Sequence, residues 1–245
     1  MAYYNCLLID TDDTLLDFDA SMVCAFSETM QHFNLPDTDE VLEIYRNINN
    51  ELWEALEKGE IQQNKLFTQR FLKLLNHLNV KGDSTKMNAY YLERLATHSD
   101  MIAGADEMLT ELAEVATIAI VSNGVDKVQR ERLKLAGLDV FVDDIFTSEA
   151  VGATKPSRKI FDAALNSLGV TNREKVLVIG DSLSSDIKGG ANAGLDTCWC
   201  NFKDIQNDTQ IKPTHTVHGY EELLRVVMEE EELNNVGNTE KRHKL

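Results

Sequence analysis

The stretch from Cys6 to Asp17, which reads CLLIDTDDTLLD, constrains this chain more than any other. Its first four residues form a short apolar run, which is typical of a strand buried on both faces of a parallel sheet. The run ends abruptly in a polar cluster that contains Asp10, Asp12 and Asp13. Because residues two apart in an extended chain point to the same side, Asp10 and Asp12 should project together from the carboxyl edge of the sheet. Such a pair favours either a shared divalent cation or a raised pKa on one carboxyl group.

Length and charge narrow the class of protein and its partners. The 245 residues, 43% of them hydrophobic, suffice for one large domain or for a core with a smaller second domain. The net charge of −17 argues against nucleic-acid or anionic-membrane binding, since either partner would be repelled. No apolar run is long enough to span a bilayer, and no leader sequence is evident, so we expect a cytoplasmic monomer or homodimer. The four cysteines lack disulfide-scaffold spacing and are expected to be reduced.

The part of the chain that follows the first strand has helical periodicity only. Apolar residues three and four positions apart predict four amphipathic helices, over 18–33, 39–58, 63–78 and 84–96. Roughly a hundred residues thus separate the first strand from the next, far more than a usual crossover connection needs. We therefore expect an inserted all-helical domain at 17–101, within a core formed by 1–16 and 102–233.

From Ala105 onward, helices and strands alternate, which predicts a Rossmann-like three-layer α/β core with a parallel sheet. The predicted strands lie at 117–121, 145–147, 176–179, 197–200 and 214–217. The predicted helices lie at 105–115, 127–136, 159–168, 185–193 and 219–233. The polar tail, 234–245, is expected to be disordered.

The residue types at the first strand end suit phosphoryl transfer. Asp10 would be the nucleophile, because a carboxylate can attack phosphorus and form an aspartyl-phosphate that water later removes. Asp12 would protonate the leaving oxygen and then deprotonate the hydrolytic water. Thr14 would anchor the loop by capping the chain that follows.

Two later clusters would bind the phosphoryl group. Ser122 and the backbone N–H groups of Asn123 and Gly124 lie at a strand-to-helix turn, where phosphoryl oxygens are commonly bound. Lys155 would neutralise the phosphoryl group and the aspartates in the transition state. Each cluster taken alone has a simpler interpretation, as an ordinary turn or as a solvated lysine.

Asp181 and Asp186, in the segment GDSLSSD, add carboxylates at another strand end. Together with Asp10 they would form an oxygen-rich shell suited to Mg²⁺, completed by waters and substrate. Asp181 alone has an equally good alternative role as a helix cap.

In chain order, Asp10 to Thr14, Ser122-Asn123-Gly124, Lys155-Pro156 and Gly180 to Asp186 resemble the four motifs of the haloacid dehalogenase-like hydrolase superfamily. The resemblance covers nearly the whole chain, and the helical insert is similar to the helical cap of that family. It implies a Rossmann-like core, Mg²⁺ dependence and phosphate-ester hydrolysis.

The resemblance also implies a role for each matching residue. Asp10 would be nucleophile and metal ligand, and Asp12 the acid and base, with its backbone carbonyl on the metal. Ser122 and Lys155 would bind phosphate. Asp181 would be a metal ligand that Asp186 supports.

One position departs from the family pattern. Asp13 stands where most such phosphatases have Gly, and we expect its side chain to point away from the metal. The sequence from Asp12 to Leu15, followed by Asp17-Phe18, is similar to the branch that contains pyrimidine 5′-nucleotidases. Dehalogenases of the superfamily lack the second acidic residue of the first motif, so Asp12 favours a phosphatase, whose alkoxide leaving group needs a proton.

The sequence therefore predicts a Mg²⁺-dependent phosphomonoesterase for small phosphorylated metabolites, with a pyrimidine nucleoside 5′-monophosphate as the leading substrate. Phosphoglycolate, a sugar phosphate or a flavin precursor are alternative substrates. A phosphomutase, a dehalogenase and a catalytically idle binding module are alternative functions. The cap residues that could contact the leaving group, although core packing is the simpler role for each, are Phe18, Tyr45, Asn49, Trp53 and Phe67.

Overall fold

A six-stranded parallel sheet forms the centre of the computed structural model, which describes residues 2–228. The strands run in the order β3-β2-β1-β4-β5-β6, and every neighbouring pair is parallel. Their bounds are Cys6–Ile9 (β1), Thr117–Ser122 (β2), Asp144–Thr147 (β3), Val176–Gly180 (β4), Asp196–Cys200 (β5) and His215–Val217 (β6). This doubly wound arrangement confirms the predicted Rossmann-like α/β fold.

Strand β1 is buried on both faces because its four side chains alternate between two apolar layers. Leu7 and Ile9 belong to a hydrophobic cluster that includes Leu109 on one side of the sheet. Cys6 and Leu8 belong to the cluster on the other side, together with Phe161 and Leu165. A continuous apolar run is therefore what this central position requires.

Helices cover both faces of the sheet and connect its strands. Their bounds are Ala105–Ala113 (α5), Asp126–Leu135 (α6), Ser148–Val151 (α7), Arg158–Ser167 (α8), Lys188–Ala193 (α9) and Tyr220–Met228 (α10). Leu109 and Leu112 of α5 and Leu223 of α10 pack on one face, and α8 packs on the other.

Four helices lie between β1 and α5, as the sequence predicts. They are Phe18–His32 (α1), Asp39–Glu57 (α2), Gln63–His77 (α3) and Ser84–Leu95 (α4). They share a hydrophobic cluster centred on the fully buried aromatic side chains Phe26, Tyr45, Phe71 and Tyr91. A smaller cluster, formed by Leu52, Leu56 and Leu66, joins the end of α2 to the start of α3.

The segment that leads from the sheet into the four helices and the segment that leads back to the sheet lie side by side. The backbone N–H of Asp17 donates to the carbonyl of Asp100 at 2.7 Å, and that of Ile102 donates to Leu15 at 3.0 Å. A single antiparallel bridge joins Leu16 to Met101 between these bonds.

Several local predictions are corrected by the structure. Thr14 caps no helix: its hydroxyl is buried without a hydrogen-bond partner, and Asp17 caps α1 by accepting from the N–H of Ala20. The helix predicted at 185–193 begins earlier, with one π-helical turn at Leu183–Ile187. The end of the helix predicted at 219–233 and the tail at 234–245 lie outside the described residues. Within residues 2–228, none of the helices has the length and apolar character that a bilayer crossing requires.

Candidate active site

The predicted site residues meet at the carboxyl edge of the sheet. Ile9 of β1 pairs with Ile120 of β2 on one side and with Ile179 of β4 on the other. Asp10 therefore follows the central strand, with the ends of β2 and β4 immediately beside it. The loop that carries Lys155 follows β3 and α7 and reaches the same point.

Lys155 lies at the centre of the cluster, and only 2% of it is exposed. Its ammonium group donates hydrogen bonds to Asp10, to Asp186 at 2.7 Å and to the carbonyl of Val121 at 2.7 Å. These three acceptors use all the donors of an ammonium group, so its orientation is fixed.

Burial sets the charge balance of this cluster. It raises the pKa of Asp10 to about 8, with Asp186 and Asp12 adding to the rise and Lys155 opposing it. Burial likewise raises the pKa of Asp181 well above its usual range, and Asp186 and Asp10 add to that rise. Burial alone would lower the pKa of Lys155, but the charges of Asp10 and Asp186 raise it instead. Lys155 pairs with Asp10 and Asp186 but not with Asp181, so ionisation of all three carboxyl groups would leave uncompensated negative charge.

A divalent cation would balance that charge, and the residues fit one. Oxygen atoms of Asp10, Asp181 and Asp186 all lie within 4.8 Å of one another. Carboxylate oxygens are the ligands that Mg²⁺ prefers. Because Gly180 has no side chain, the carboxyl group of Asp186 can lie against its backbone. An added Cβ at Gly180 would lie 2.3 Å from the carboxyl carbon of Asp186.

Asn123 borders the cavity, and its side chain makes two hydrogen bonds to the backbone of Lys155. Its side-chain carbonyl accepts from the N–H of Lys155 at 2.7 Å, and its amide donates to the carbonyl of Lys155 at 3.1 Å. This double contact holds the lysine loop against β2. Ser122 ends β2 as expected, but its hydroxyl accepts from the N–H of Gly124 at 3.0 Å, so that N–H group is already engaged.

Asp12 has two partners that the sequence did not point to. Arg132, which is fully buried, forms an ion pair with one carboxylate oxygen, and Gln129 donates to the other at 2.7 Å. Both residues belong to α6, three positions apart, so they lie on the same helix face. Gly124 makes room for Gln129, since an added Cβ there would lie 2.5 Å from the side-chain nitrogen of Gln129.

Arg132 also contacts the first helix of the four-helix insert and the segment that follows its last helix. It donates to the carbonyl of His98 at 3.0 Å, just after α4, and to the hydroxyl of Ser21 in α1 at 3.3 Å. The guanidinium group that binds Asp12 therefore also contacts the insert near both of its ends.

A cavity of about 300 Å³ opens from this cluster toward helices α2 and α3. Of the five residues predicted from the cap sequence, Phe18, Asn49, Trp53 and Phe67 line it. Tyr45 does not, because it is fully buried and stacks on Phe26 with ring centroids 4.6 Å apart. The insert contributes further lining residues that the sequence did not point to, which are Asn50, Glu57, Arg70, Leu92 and Leu95.

Two hydrogen bonds join the insert to the strand-end loops. Gln63, at the start of α3, donates to the carbonyl of Asn123 at 2.8 Å. Ser184 donates to Glu57 at the end of α2, and burial raises the pKa of this glutamate above its usual value.

Asp13 adopts a left-handed backbone conformation, with φ at 57°. Glycine adopts this conformation without steric cost, and aspartate tolerates it better than most residues do. The carboxylate pairs with Lys203 at 3.3 Å, and the residue also borders the cavity.

Comparison with known proteins places this geometry in a family. The model of the haloacid dehalogenase-like hydrolase family matches residues 7–200. The HAD-hydrolase YfnB of Bacillus subtilis is 36% identical, over 93% of this chain and 97% of its own length. A crystal structure of YfnB bound to magnesium has a TM-score of 0.87 and covers 91% of this chain and 98% of the YfnB chain.

Two further relatives have names that state an activity. The pyrimidine 5′-nucleotidase PynA of Streptococcus pneumoniae is 34% identical, over 91% of this chain and 94% of its own length. The pyrimidine 5′-nucleotidase YjjG of Escherichia coli is also 34% identical, over 91% of this chain and 98% of its own length. With its sheet order, its strand-end aspartates and these matches, the chain belongs to the haloacid dehalogenase-like hydrolases.

Proposed function

We propose that this hydrolase is a Mg²⁺-dependent phosphomonoesterase that acts on pyrimidine nucleoside 5′-monophosphates through an aspartyl-phosphate. The observation that carries the proposal is the separate support of two aspartates at one cavity. Asp10 is held by Lys155, and Asp12, two residues later, is held by Arg132 and Gln129. Two carboxylates in different surroundings suit two different tasks, nucleophile and proton carrier.

In the first step, a carboxylate oxygen of Asp10 attacks phosphorus, and the bond between phosphorus and the nucleoside 5′-oxygen breaks. Asp12 gives its proton to that leaving oxygen. Lys155 and Ser122 stabilise the phosphoryl oxygens. Asp186 and the carbonyl of Val121 hold the ammonium group of Lys155 in place.

In the second step, Asp12 takes a proton from a water molecule, whose oxygen attacks phosphorus. The bond between Asp10 and phosphorus breaks, and inorganic phosphate and free Asp10 result. Asp12 is thereby protonated again and ready for the next substrate.

Mg²⁺, when bound, would neutralise the charge of the phosphoryl group and of the surrounding carboxylates. Asp10, Asp181 and the backbone carbonyl of Asp12 would hold it, and Asp186 would support the site. The cluster of Asp10, Asp181 and Asp186 and the magnesium bound to the similar YfnB support this assignment.

We also propose that residues 17–101 act as a cap that reads the leaving group, above a catalytic core formed by 1–16 and 102–233. The separate hydrophobic cluster of α1–α4 and the cavity between these helices and the strand ends support this division. The names of PynA and YjjG favour a pyrimidine nucleotide as substrate.

The direct test is phosphate release from nucleoside monophosphates, sugar phosphates and phosphoglycolate, with Mg²⁺ or with a chelator. The wild type should release phosphate only with metal and most rapidly from pyrimidine nucleotides, and Asp10→Asn should release none. The exposed Asp208→Asn serves as the matched control and should behave like the wild type. Absence of release from every substrate, including an aryl phosphate, would refute the phosphatase assignment.

A further inference from the structure

Arg70 of α3 is a buried cation without an acidic partner. Only 2% of it is exposed, and among residues 2–228 no carboxylate forms an ion pair with it. Its Nε donates to the side-chain carbonyl of Asn88 at 2.7 Å, and its charge acts on the nearby hydroxyl of Tyr45, but its Nη2 makes no hydrogen bond of normal geometry. Burying an unsatisfied donor of a charged group is costly, so a protein retains one mainly where something else supplies the acceptor.

Asn49 of α2 has the complementary deficiency. It is 3% exposed, and its side-chain oxygen is buried without a hydrogen-bond donor. Asn49 and Arg70 both line the cavity that leads to Asp10. The part of the cavity wall that α2 and α3 form therefore contains one unpartnered donor and one unpartnered acceptor, while Gln129 of α6 contributes a further unpartnered acceptor elsewhere on the wall.

Each of these polar residues has an aromatic neighbour on its own helix face. Trp53 lies four positions after Asn49 on α2, and Phe67 lies three positions before Arg70 on α3. Both rings are half-buried and line the same cavity. The guanidinium group of Arg70 lies over the Phe67 ring, 5.4 Å from its centroid, and over the Tyr91 ring at 4.4 Å. Flat apolar walls with one donor and one acceptor fit a planar heterocycle that presents a carbonyl oxygen and an N–H group.

We propose that Asn49 and Arg70 recognise the base of the substrate through hydrogen bonds. Arg70 donates to a carbonyl oxygen of the pyrimidine, and Asn49 accepts from an N–H group of the same ring, while Trp53 and Phe67 bound the ring. The proposal rests on the nucleotidase function proposed above and assigns its base subsite. A carboxylate on the leaving group would satisfy Arg70 but would face the oxygen of Asn49 unfavourably, so a neutral base fits both residues better.

The test compares two substrates that share the reacting phosphate and differ in the base. Uridine 5′-monophosphate carries the base, and ribose 5-phosphate lacks it. In Asn49→Leu and Arg70→Gln, kcat/KM for the nucleotide should fall about 10- to 100-fold, as expected when a polar contact in a closed site is lost. In the same variants, kcat/KM for ribose 5-phosphate should stay within about 3-fold of the wild-type value, since that substrate makes no contact with the subsite.

Matched controls lie on the outer surface of α2, the helix that carries Asn49. Arg46 pairs with Asp19 on the surface, and Asn47 is exposed, so Arg46→Gln and Asn47→Leu should leave both substrates unaffected. Thermal unfolding of each variant shows whether the cap is intact. If Arg70→Gln does not fold, Asn49→Leu tests the same expectation. Free uridine should then inhibit Asn49→Leu more weakly than it inhibits the wild type.

The possible results separate this proposal from the function on which it rests. Nucleotide hydrolysis that is unchanged in both variants, or a parallel loss for both substrates in folded protein, would overturn the base subsite and leave the phosphatase intact. A wild type that hydrolyses neither substrate would instead overturn the proposed function.

Discussion

Arg132 and Asp12 are 120 positions apart in the chain, yet they form an ion pair that borders the cavity. The arginine is fully buried, whereas 28% of the aspartate side chain is exposed. The fixed partner thus comes from the interior of the protein and orients a carboxylate that remains accessible to substrate.

This pair predicts a dependence on the leaving group. Arg132→Gln should lower kcat/KM about 10- to 100-fold for a nucleoside monophosphate, whose alkoxide leaves only with a proton from a well-placed Asp12. The loss should be less than about 5-fold for 4-nitrophenyl phosphate, whose leaving group needs little protonation. The measurement is kcat/KM for both substrates in the variant and in the wild type.

Arg130→Gln is the matched control, because Arg130 lies on the same helix but pairs with Asp126 at the surface. It should leave both rates nearly unchanged. Equal losses for the two substrates in Arg132→Gln would instead indicate a purely structural role for Arg132.

The buried carboxyl group of Asp10 should reduce the stability of the metal-free protein. Burial raises the pKa of Asp10 to about 8 from a usual value near 4. At pH values between these two, the folded state therefore binds more protons than the unfolded state does. The contribution of this group to stability is therefore present at low pH and lost as the pH rises through 8. In chelator at pH 8, Asp10→Asn should raise Tm by a few degrees, and the gain should shrink toward pH 5.

Added Mg²⁺ should reverse the order of the Tm values of the wild type and Asp10→Asn. The wild type should gain more in Tm from the metal than Asp10→Asn does, because the variant offers one carboxylate fewer. Calorimetric scans of both proteins and of Asp208→Asn, each with metal and with chelator, provide the measurement. An Asp10→Asn variant less stable than the wild type in chelator at pH 8 would contradict the expectation.

Substitutions at Asp13 measure the free-energy cost of the left-handed backbone conformation. Asp13→Ala should lower the free energy of unfolding by about 1 kcal/mol relative to Asp13→Gly, since only glycine adopts a φ of 57° without steric cost. Urea unfolding of the two variants measures this difference. Lys203→Ala isolates the ion pair, which should contribute little because 65% of the lysine side chain is exposed. Equal stability of the Ala and Gly variants would show that the loop relaxes.

Gln63 tests whether contact between the insert and the strand-end loop affects substrate binding. Loss of its hydrogen bond to the carbonyl of Asn123 in Gln63→Ala should raise KM several-fold with kcat nearly unchanged, because the arrangement in which α3 contacts the strand-end loop would be less populated. Steady-state kinetics with the preferred substrate measure both constants. The exposed Asn64→Ala, one residue later, should match the wild type. A fall in kcat alone would argue against a binding role.

The sequence predicted the sheet, the helical insert and the meeting of the strand ends, because apolar runs and polar strand ends are local signals. It did not predict that Gln129 and Arg132 hold Asp12, since those contacts span 117 and 120 positions and depend on how α6 is rotated against β1. Thr14 was misassigned as a cap because Asp17, three residues later, has the same capping chemistry. The catalytic roles and the domain limits remain predictions.

The side-by-side passage of the chain at Asp17 and Asp100 has an evolutionary consequence. The two ends of the insert are joined by a backbone hydrogen bond of 2.7 Å, so a tight turn could replace everything between them without displacing β1 or α5. A sheet with this junction can acquire, exchange or lose a whole helical module while its chemistry at Asp10 is preserved. New substrates could then arise by replacement of one exchangeable segment, with selection acting separately on recognition and on catalysis.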